Sequence, residues 1–166
     1  MVKKIIKYNE SISMEYLSDN CYLDIKIDPI DKVDISKRLD LIKLDVFEMS
    51  ITYSQVNKME SLAKYRLNSF GEQKCVISLN SVKFEINKKF NIKFINYKKL
   101  DLAALDDALI EPVYNNKINF CEVGIQMFSS FLDPYPKINN GDINLNSMYT
   151  NKEDSKVNKK NPFEVL

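Results

Sequence analysis

The stretch VKFEINKKFNIKFINYKK, residues 82–99, interleaves lysines with aromatic and branched apolar residues. This pattern is typical of surfaces that bind single-stranded nucleic acid, and also of strands with one buried face. Because side chains alternate along a strand, the lysines lie out of phase with most aromatics, whereas a stacking platform needs both on one surface. We therefore predict a β-hairpin, with strands over residues 82–86 and 90–97 joined by a turn at 87–89. Its buried face is expected to carry Val82, Phe84, Ile86, Phe90, Ile92 and Phe94.

Single-stranded nucleic-acid binding is the alternative interpretation of the basic hairpin 82–99. Tyr97 is in phase with Lys93 and Lys99, and Lys83 lies on the same solvated side, so these four are the candidate nucleic-acid-binding residues. Such a protein would be of the oligonucleotide-barrel type. However, residues 83–99 carry six lysines and one glutamate, whereas residues 101–133 carry six acidic residues and one lysine. That balance favours self-neutralisation within the domain.

Composition excludes several classes of catalytic site. The chain has 166 residues, a net charge of +1 and no histidine, which removes the usual triads, histidine metal ligands and the common proton shuttle. Its three glycines are too far apart for a phosphate-binding loop. The three cysteines are scattered and flanked by apolar residues, as buried thiols in a reducing cytosol would be. We therefore predict a non-enzymatic, cytoplasmic protein without a metal or organic cofactor.

The remaining segments are predicted to form mainly β-strands. Strands are predicted over residues 11–16, 21–27 and 75–79, and Asp28-Pro29 is interpreted as the turn that ends the second strand. The apolar residues within 39–53 fit both the helical period and the alternating period of a strand. Their β-branched and aromatic content favours a strand with a bulge near Phe47. Helices are predicted over residues 54–71 and 101–111, whereas residues 118–132 mix both periods and stay unassigned.

The expected fold class is α+β, with a mainly antiparallel sheet or a partly open barrel, two short helices and an extended C-terminal tail. Residues 1–132 are predicted to form a single domain, and residues 133–166 a partly disordered tail, because asparagine and proline replace periodic apolar residues there. The tail ends in Phe163, Val165 and Leu166, an apolar tip that either docks in a partner's groove or folds back on the domain.

Two partial resemblances accompany this reading. Pro162-Phe163 resembles the tail tip of single-stranded-DNA-binding proteins, although residues 150–166 hold four lysines and three acidic residues instead of an acidic run. The segment from Ile110 to Ile138 resembles the corresponding part of SecB-type export chaperones, but it covers under a fifth of the chain. Neither resemblance assigns a family.

The sequence thus favours a protein-binding module that acts as an adaptor, assembly factor, inhibitor or chaperone-like protein. The partner would be another protein or a second copy of this chain, with nucleic acid as the alternative. Heavy use of Lys, Asn and Ile indicates an AT-rich genome, such as that of a mobile element, phage or virus.

Overall fold

The computed structural model describes residues 3–17, 19–100 and 109–138. Two helices occur in these residues, α1 (Pro29–Arg38) and α2 (Phe120–Phe131), and short 3₁₀ turns cover Met14–Tyr16 and Tyr97–Lys99. The strands of the described part are β1 (Lys3–Lys7), β2 (Ile12–Ser13), β3 (Cys21–Lys26), β4 (Lys43–Asn57), β5 (Glu60–Lys74), β6 (Ser81–Asn96), β7 (Ile110–Val113) and β8 (Lys117–Ile118).

One six-stranded sheet forms the centre of the molecule, in the order β1-β3-β4-β5-β6-β7. Strands β3 to β6 pair antiparallel, whereas β1 runs parallel to β3 and β7 runs parallel to β6. β2 and β8 form a separate two-stranded ribbon. The predicted α+β class and the mainly antiparallel sheet are confirmed, and the sheet stays open.

The core lies on one face of this sheet, beneath the two helices. Phe128 of α2 meets Phe47 with ring centroids 5.0 Å apart, and Phe120 meets Phe94 at 5.4 Å. Arg38 of α1 forms two hydrogen bonds of 2.6 and 2.7 Å with the Glu122 carboxylate of α2 and so ties the helices together. The opposite face carries partly and fully exposed side chains, including Tyr22, Thr52, Lys64, Arg66, Lys89 and Asn91. We call it the open face.

Helix α2 resolves the unassigned segment 118–132. Asn119 caps its first turn by accepting a hydrogen bond of 3.0 Å from the Glu122 N–H. Gly124 lets the helix approach the sheet closely, since a β-carbon there would meet the thioether of Met49. Six of its residues are buried, namely Phe120, Cys121, Val123, Gly124, Ile125 and Phe128.

Helix α1 replaces the turn that was predicted at Asp28-Pro29. Pro29 occupies the first helical turn, where its missing N–H costs nothing, and Asp28 is the N-cap residue. The Asp31 carboxylate accepts a hydrogen bond of 2.8 Å from the Asp28 N–H. Asp28 and Asp31 thus serve to start this helix.

The predicted helix over residues 54–71 is wrong. Residues up to Asn57 complete β4, Lys58 and Met59 form a tight turn, and β5 begins at Glu60. On β5 the core-facing positions are Ser61, Ala63, Tyr65, Leu67, Ser69 and Gly71, all buried. Because four of these six are small or polar, the period-two pattern of a strand is hidden in the sequence.

The predicted hairpin within residues 82–99 is also wrong, because these residues form one long strand. β6 pairs with β5 without interruption from Lys74↔Ser81 to Glu60↔Ile95, so the expected turn at residues 87–89 is extended backbone opposite Arg66–Asn68. The predicted faces are nevertheless close to the observed ones. Ile86, Ile92 and Phe94 are buried, Val82, Phe84 and Phe90 are half-buried, and Lys83 and Asn91 are exposed.

Several smaller predictions have mixed outcomes. β3 confirms the strand over residues 21–27, and β4 shows that residues 39–53 belong mostly to a strand, whose irregularity falls between Leu44 and Val46. Only two residues of the strand predicted over 11–16 are extended. The strand predicted over 75–79 is a turn, and the end of the helix predicted over 101–111 lies in β7. Residues 101–108 of that helix lie outside the described residues.

Candidate protein-binding edge

The four candidate nucleic-acid-binding residues do not form one surface. Lys83 and Lys93 share a face of β6 but are ten residues apart, which is about 33 Å along a strand. The Lys93 ammonium lies 3.7 Å from the Glu60 carboxylate, and the Lys99 ammonium lies 3.0 Å from it. These contacts, with Lys99 the main cause, lower the pKa of Glu60 and keep it ionised. Two of the three lysines are therefore already paired with an acid.

Tyr97 is also occupied by neighbours of its own chain. Its ring stacks on that of Tyr114 at 5.2 Å with an interplanar angle of 23°, and the Lys98 ammonium lies 6.0 Å from its centroid. One side of the Tyr97 ring is thus covered, although 45% of the residue is exposed. The tail tip of Phe163, Val165 and Leu166 lies outside the described residues, and its role stays a prediction.

The most distinctive feature of the described structure is the outer edge of β6. β7 pairs only with Lys93–Asn96, so residues 81–92 of β6 have no strand beside them among the described residues. We call residues 81–92 the β6 outer edge. It is about 40 Å long, which exceeds an average strand.

The direction of the main-chain groups along this edge follows from two hydrogen bonds. The Lys93 N–H points outward and donates to the Leu109 carbonyl at 2.9 Å, whereas the Asn96 N–H points inward and donates to the Met59 carbonyl at 2.9 Å. In an antiparallel pair this direction alternates from residue to residue. The N–H and C=O groups of odd-numbered residues therefore point outward, from Lys83 to Asn91, and their side chains lie on the open face.

Aromatic side chains border the edge on the core face. The Phe90 ring stacks on Tyr65 at 4.8 Å and 8°, and it meets Phe131 at 5.5 Å. Phe84 lies 6.0 Å from Phe128. Phe84 and Phe90 stay half-buried, because the helix covers them from one side only. An added strand would find apolar surface here as well as main-chain partners.

Lys88 interrupts this aromatic border. It lies between Ile86 and Phe90 on the core face, yet its side chain is exposed. A charged residue at an inward-facing position of an edge strand is a known guard against indiscriminate strand pairing. A strand added to this edge would therefore have to accommodate the lysine.

A basic centre lies beside the edge on the open face. Arg66 on β5 is directly opposite Lys89 on β6, and Lys64 is one open-face position away. Like charges that face each other across a sheet are destabilising. Among the described residues no carboxylate lies within 4 Å of these three cationic groups, and they line a shallow concavity of about 270 Å³ with Tyr22 and Thr52.

Because the chain has no histidine, its acidic and thiol side chains are the potential metal ligands and nucleophiles. The described residues contain no group of three or more Cys, Asp or Glu side chains arranged to hold a metal ion. Hydrogen bonds from Ser78 lower the pKa of the Cys75 thiol to about 6, but only 2% of Cys75 is exposed. All three cysteines are free and buried, as predicted. No helix of the described part is long and apolar enough to cross a membrane.

No family model, curated protein or solved structure matches this chain.

Sequence reasoning missed the edge because it placed a turn inside it. The signal that was available is the unbroken alternation from Val82 to Phe94, in which only Lys88 departs from the apolar set. Edge strands often carry lysine, so a lysine in an otherwise alternating run indicates an edge as readily as a turn.

Proposed function

We propose that this chain is a non-catalytic protein-binding module that takes up an extended polypeptide segment by strand addition at the β6 outer edge. The proposal is supported by the row of outward-pointing N–H and C=O groups from Lys83 to Asn91. No strand of the described residues forms hydrogen bonds with this row. In strand addition, main-chain hydrogen bonds supply affinity and pockets for alternate side chains supply specificity. Half-buried Phe84 and Phe90 are suited to the second role.

A reducing compartment fits this proposal. Cys21, Cys75 and Cys121 are buried and unpaired, which is the usual state of cysteines in a cytosolic protein.

The test replaces Asn87, the middle outward residue of the edge. Asn87→Pro removes an outward N–H and places a ring where an added strand would lie, whereas Asn87→Ala keeps the N–H. We expect Asn87→Pro to weaken binding of a labelled ten-residue peptide of alternating valine and glutamate at least about tenfold, and Asn87→Ala to stay within about twofold. Fluorescence anisotropy at low protein concentration measures both.

Circular dichroism is the control for the fold of these variants. Asn87→Pro should keep the parent spectrum, because the Asn87 N–H does not bond to β5. If the alanine and proline variants bind the peptide equally well, the edge is not the binding site.

Single-stranded nucleic-acid binding is a second candidate function. It is favoured by the basic centre of Lys64, Arg66 and Lys89. The residues predicted from the sequence, which are Lys83, Lys93, Tyr97 and Lys99, do not favour it. Phosphates would relieve the repulsion between Arg66 and Lys89. Oligonucleotide binding that weakens steeply with salt and is lost in Arg66→Ala would favour this candidate over strand addition.

A further inference from the structure

The side chains along the β6 outer edge complement themselves. An antiparallel partner with the same sequence would be related to β6 by a two-fold axis perpendicular to the sheet, and this axis can fall on only a few residues. The available edge runs from Ser81, after the turn, to Ile92, where β7 begins to pair. Its midpoint lies between Ile86 and Asn87, so an axis near these residues uses the whole edge.

An axis at Asn87 brings complementary side chains together. Two residues then face each other across the axis when their numbers add up to 174. Glu85 therefore lies opposite Lys89 of the second copy, and Lys89 lies opposite Glu85 of the second copy. On the core face Phe84 lies opposite Phe90 of the second copy. Opposite charges and aromatic pairs at directly facing positions both stabilise a sheet.

Neighbouring registers are worse. With the axis at Ile86, Lys83 lies opposite Lys89 of the second copy. Lys88 faces an apolar residue in both registers, Phe84 in this one and Ile86 in the Asn87 register, so the facing lysines on the open face make the difference. With the axis at Lys88, Lys83 lies opposite Lys93, at a position where β7 already occupies the edge. Like charges that face each other across strands are destabilising, so each alternative carries a penalty that the Asn87 register lacks.

The hydrogen-bond pattern agrees with the Asn87 register. The N–H and C=O groups of odd-numbered residues point outward. With the axis at Asn87, each odd-numbered residue faces another odd-numbered residue. Five such pairs, from Lys83–Asn91 to Asn91–Lys83, would each exchange two hydrogen bonds, or about ten in total. The axis at Asn87 therefore places donors opposite acceptors along the whole edge.

We infer that the β6 outer edge pairs antiparallel with the same edge of a second copy of this chain, centred on Asn87, so that the two six-stranded sheets join into one. The inference rests on the proposed function, since it names the polypeptide that occupies the strand-addition site. Both copies then keep their helices on the same side of the joined sheet. Other extended segments compete with the second copy for the edge.

The first test is a cysteine at the symmetry axis. In Asn87→Cys the two introduced thiols face each other across a hydrogen-bonded pair, where the α-carbon separation of about 5.5 Å permits a disulfide. We expect mild oxidation to convert most of this variant to a covalent dimer on a non-reducing gel. Lys83→Cys, whose thiol faces Asn91 of the second copy, is the matched control and should stay monomeric on the gel, as should the parent with its buried cysteines.

The second test exchanges the charges. Glu85→Lys and Lys89→Glu each place like charges opposite one another at two symmetry-related positions. Each should raise the dimer dissociation constant, measured by sedimentation equilibrium, about tenfold. The double variant Glu85→Lys with Lys89→Glu restores both pairs and should return within about threefold of the parent. Recovery in the double variant distinguishes a specific register from general surface charge.

The outcomes separate this inference from the proposed function. Equal cross-linking of the Asn87 and Lys83 variants, or no recovery in the double exchange, would overturn the homotypic register. If the alanine and proline variants of Asn87 still differed in peptide binding, strand addition itself would stand. If the chain dimerised as inferred but bound no peptide, the edge would serve self-assembly alone and the broader function would fail.

Discussion

Replacing Phe94 by alanine is expected to lower the free energy of unfolding by about 3–5 kcal/mol, as for other fully buried aromatic residues. Phe94 is 0% exposed, and its ring meets Phe120 of α2 edge to face at 5.4 Å. Truncation would remove this contact and leave a cavity where β6, β7 and α2 meet. Urea denaturation followed by circular dichroism measures the loss.

Phe84→Ala is the matched control, because Phe84 lies on the same face of the same strand but is only half-buried. It should cost distinctly less than Phe94→Ala. The sequence pattern alone would assign the two residues equal values. Equal losses would show that the β6 outer edge is covered and that Phe84 belongs to the core.

The second large effect concerns Gly71 on β5. A β-carbon at this position would lie against the main-chain carbonyl of Lys43 and 2.8 Å from the Phe84 ring. The backbone carbonyl cannot move without disturbing the irregular pairing between Leu44 and Val46. We therefore expect Gly71→Ala to lower the free energy of unfolding by about 2–3 kcal/mol through overpacking.

Gly124→Ala offers the comparison for Gly71. Its added carbon would meet the end of the Met49 side chain, which is flexible and can move aside. Alanine also favours a helix by about 1 kcal/mol relative to glycine. Gly124→Ala should consequently be the milder change in the same urea titration. The reverse order would contradict the close approach of β4 and β5 at Gly71.

The sequence predicted the fold class and the faces of β6 because both depend on local alternation. Phe94 and Lys83 fall on the expected sides whether residues 82–96 form a hairpin or one strand. The continuous strand could not be predicted from Asn87 and the following lysines, since turn-forming residues are tolerated where β5 supplies a hydrogen-bonded neighbour. Tertiary pairing overrides local preference at such positions.

The wrongly predicted helix over residues 54–71 and the missed helix α1 have different explanations. Residues 54–71 place Val56, Met59 and Leu62 at helical spacing, but the β4–β5 turn at Lys58-Met59 lacks the asparagine or glycine that usually indicates a hairpin. In α1, by contrast, the information was present. An aspartate before a proline, with a second aspartate three residues on, is the start signal of a helix as well as the pattern of a turn.

The candidate site was predictable only in part. Lysine and aromatic composition drew attention to residues 82–99, which do contain the β6 outer edge. The individual residues could not be chosen correctly, because Glu60 is more than 30 positions from Lys93 and Lys99 in sequence and meets them only through the β5–β6 register. Which strand lies at an edge is a property of the whole sheet.

The most direct test of the central claim is residue-resolved amide hydrogen exchange along β6. In dilute protein, the outward amides of residues 83, 85, 87, 89 and 91 should exchange rapidly, whereas the inward amides between them stay protected by β5. At concentrations that favour pairing of the edge, protection of the outward amides should rise about a hundredfold or more, with little change in the inward set. Outward amides that are protected even in dilute monomer, or that stay unprotected at every concentration and with added peptide, would contradict the account.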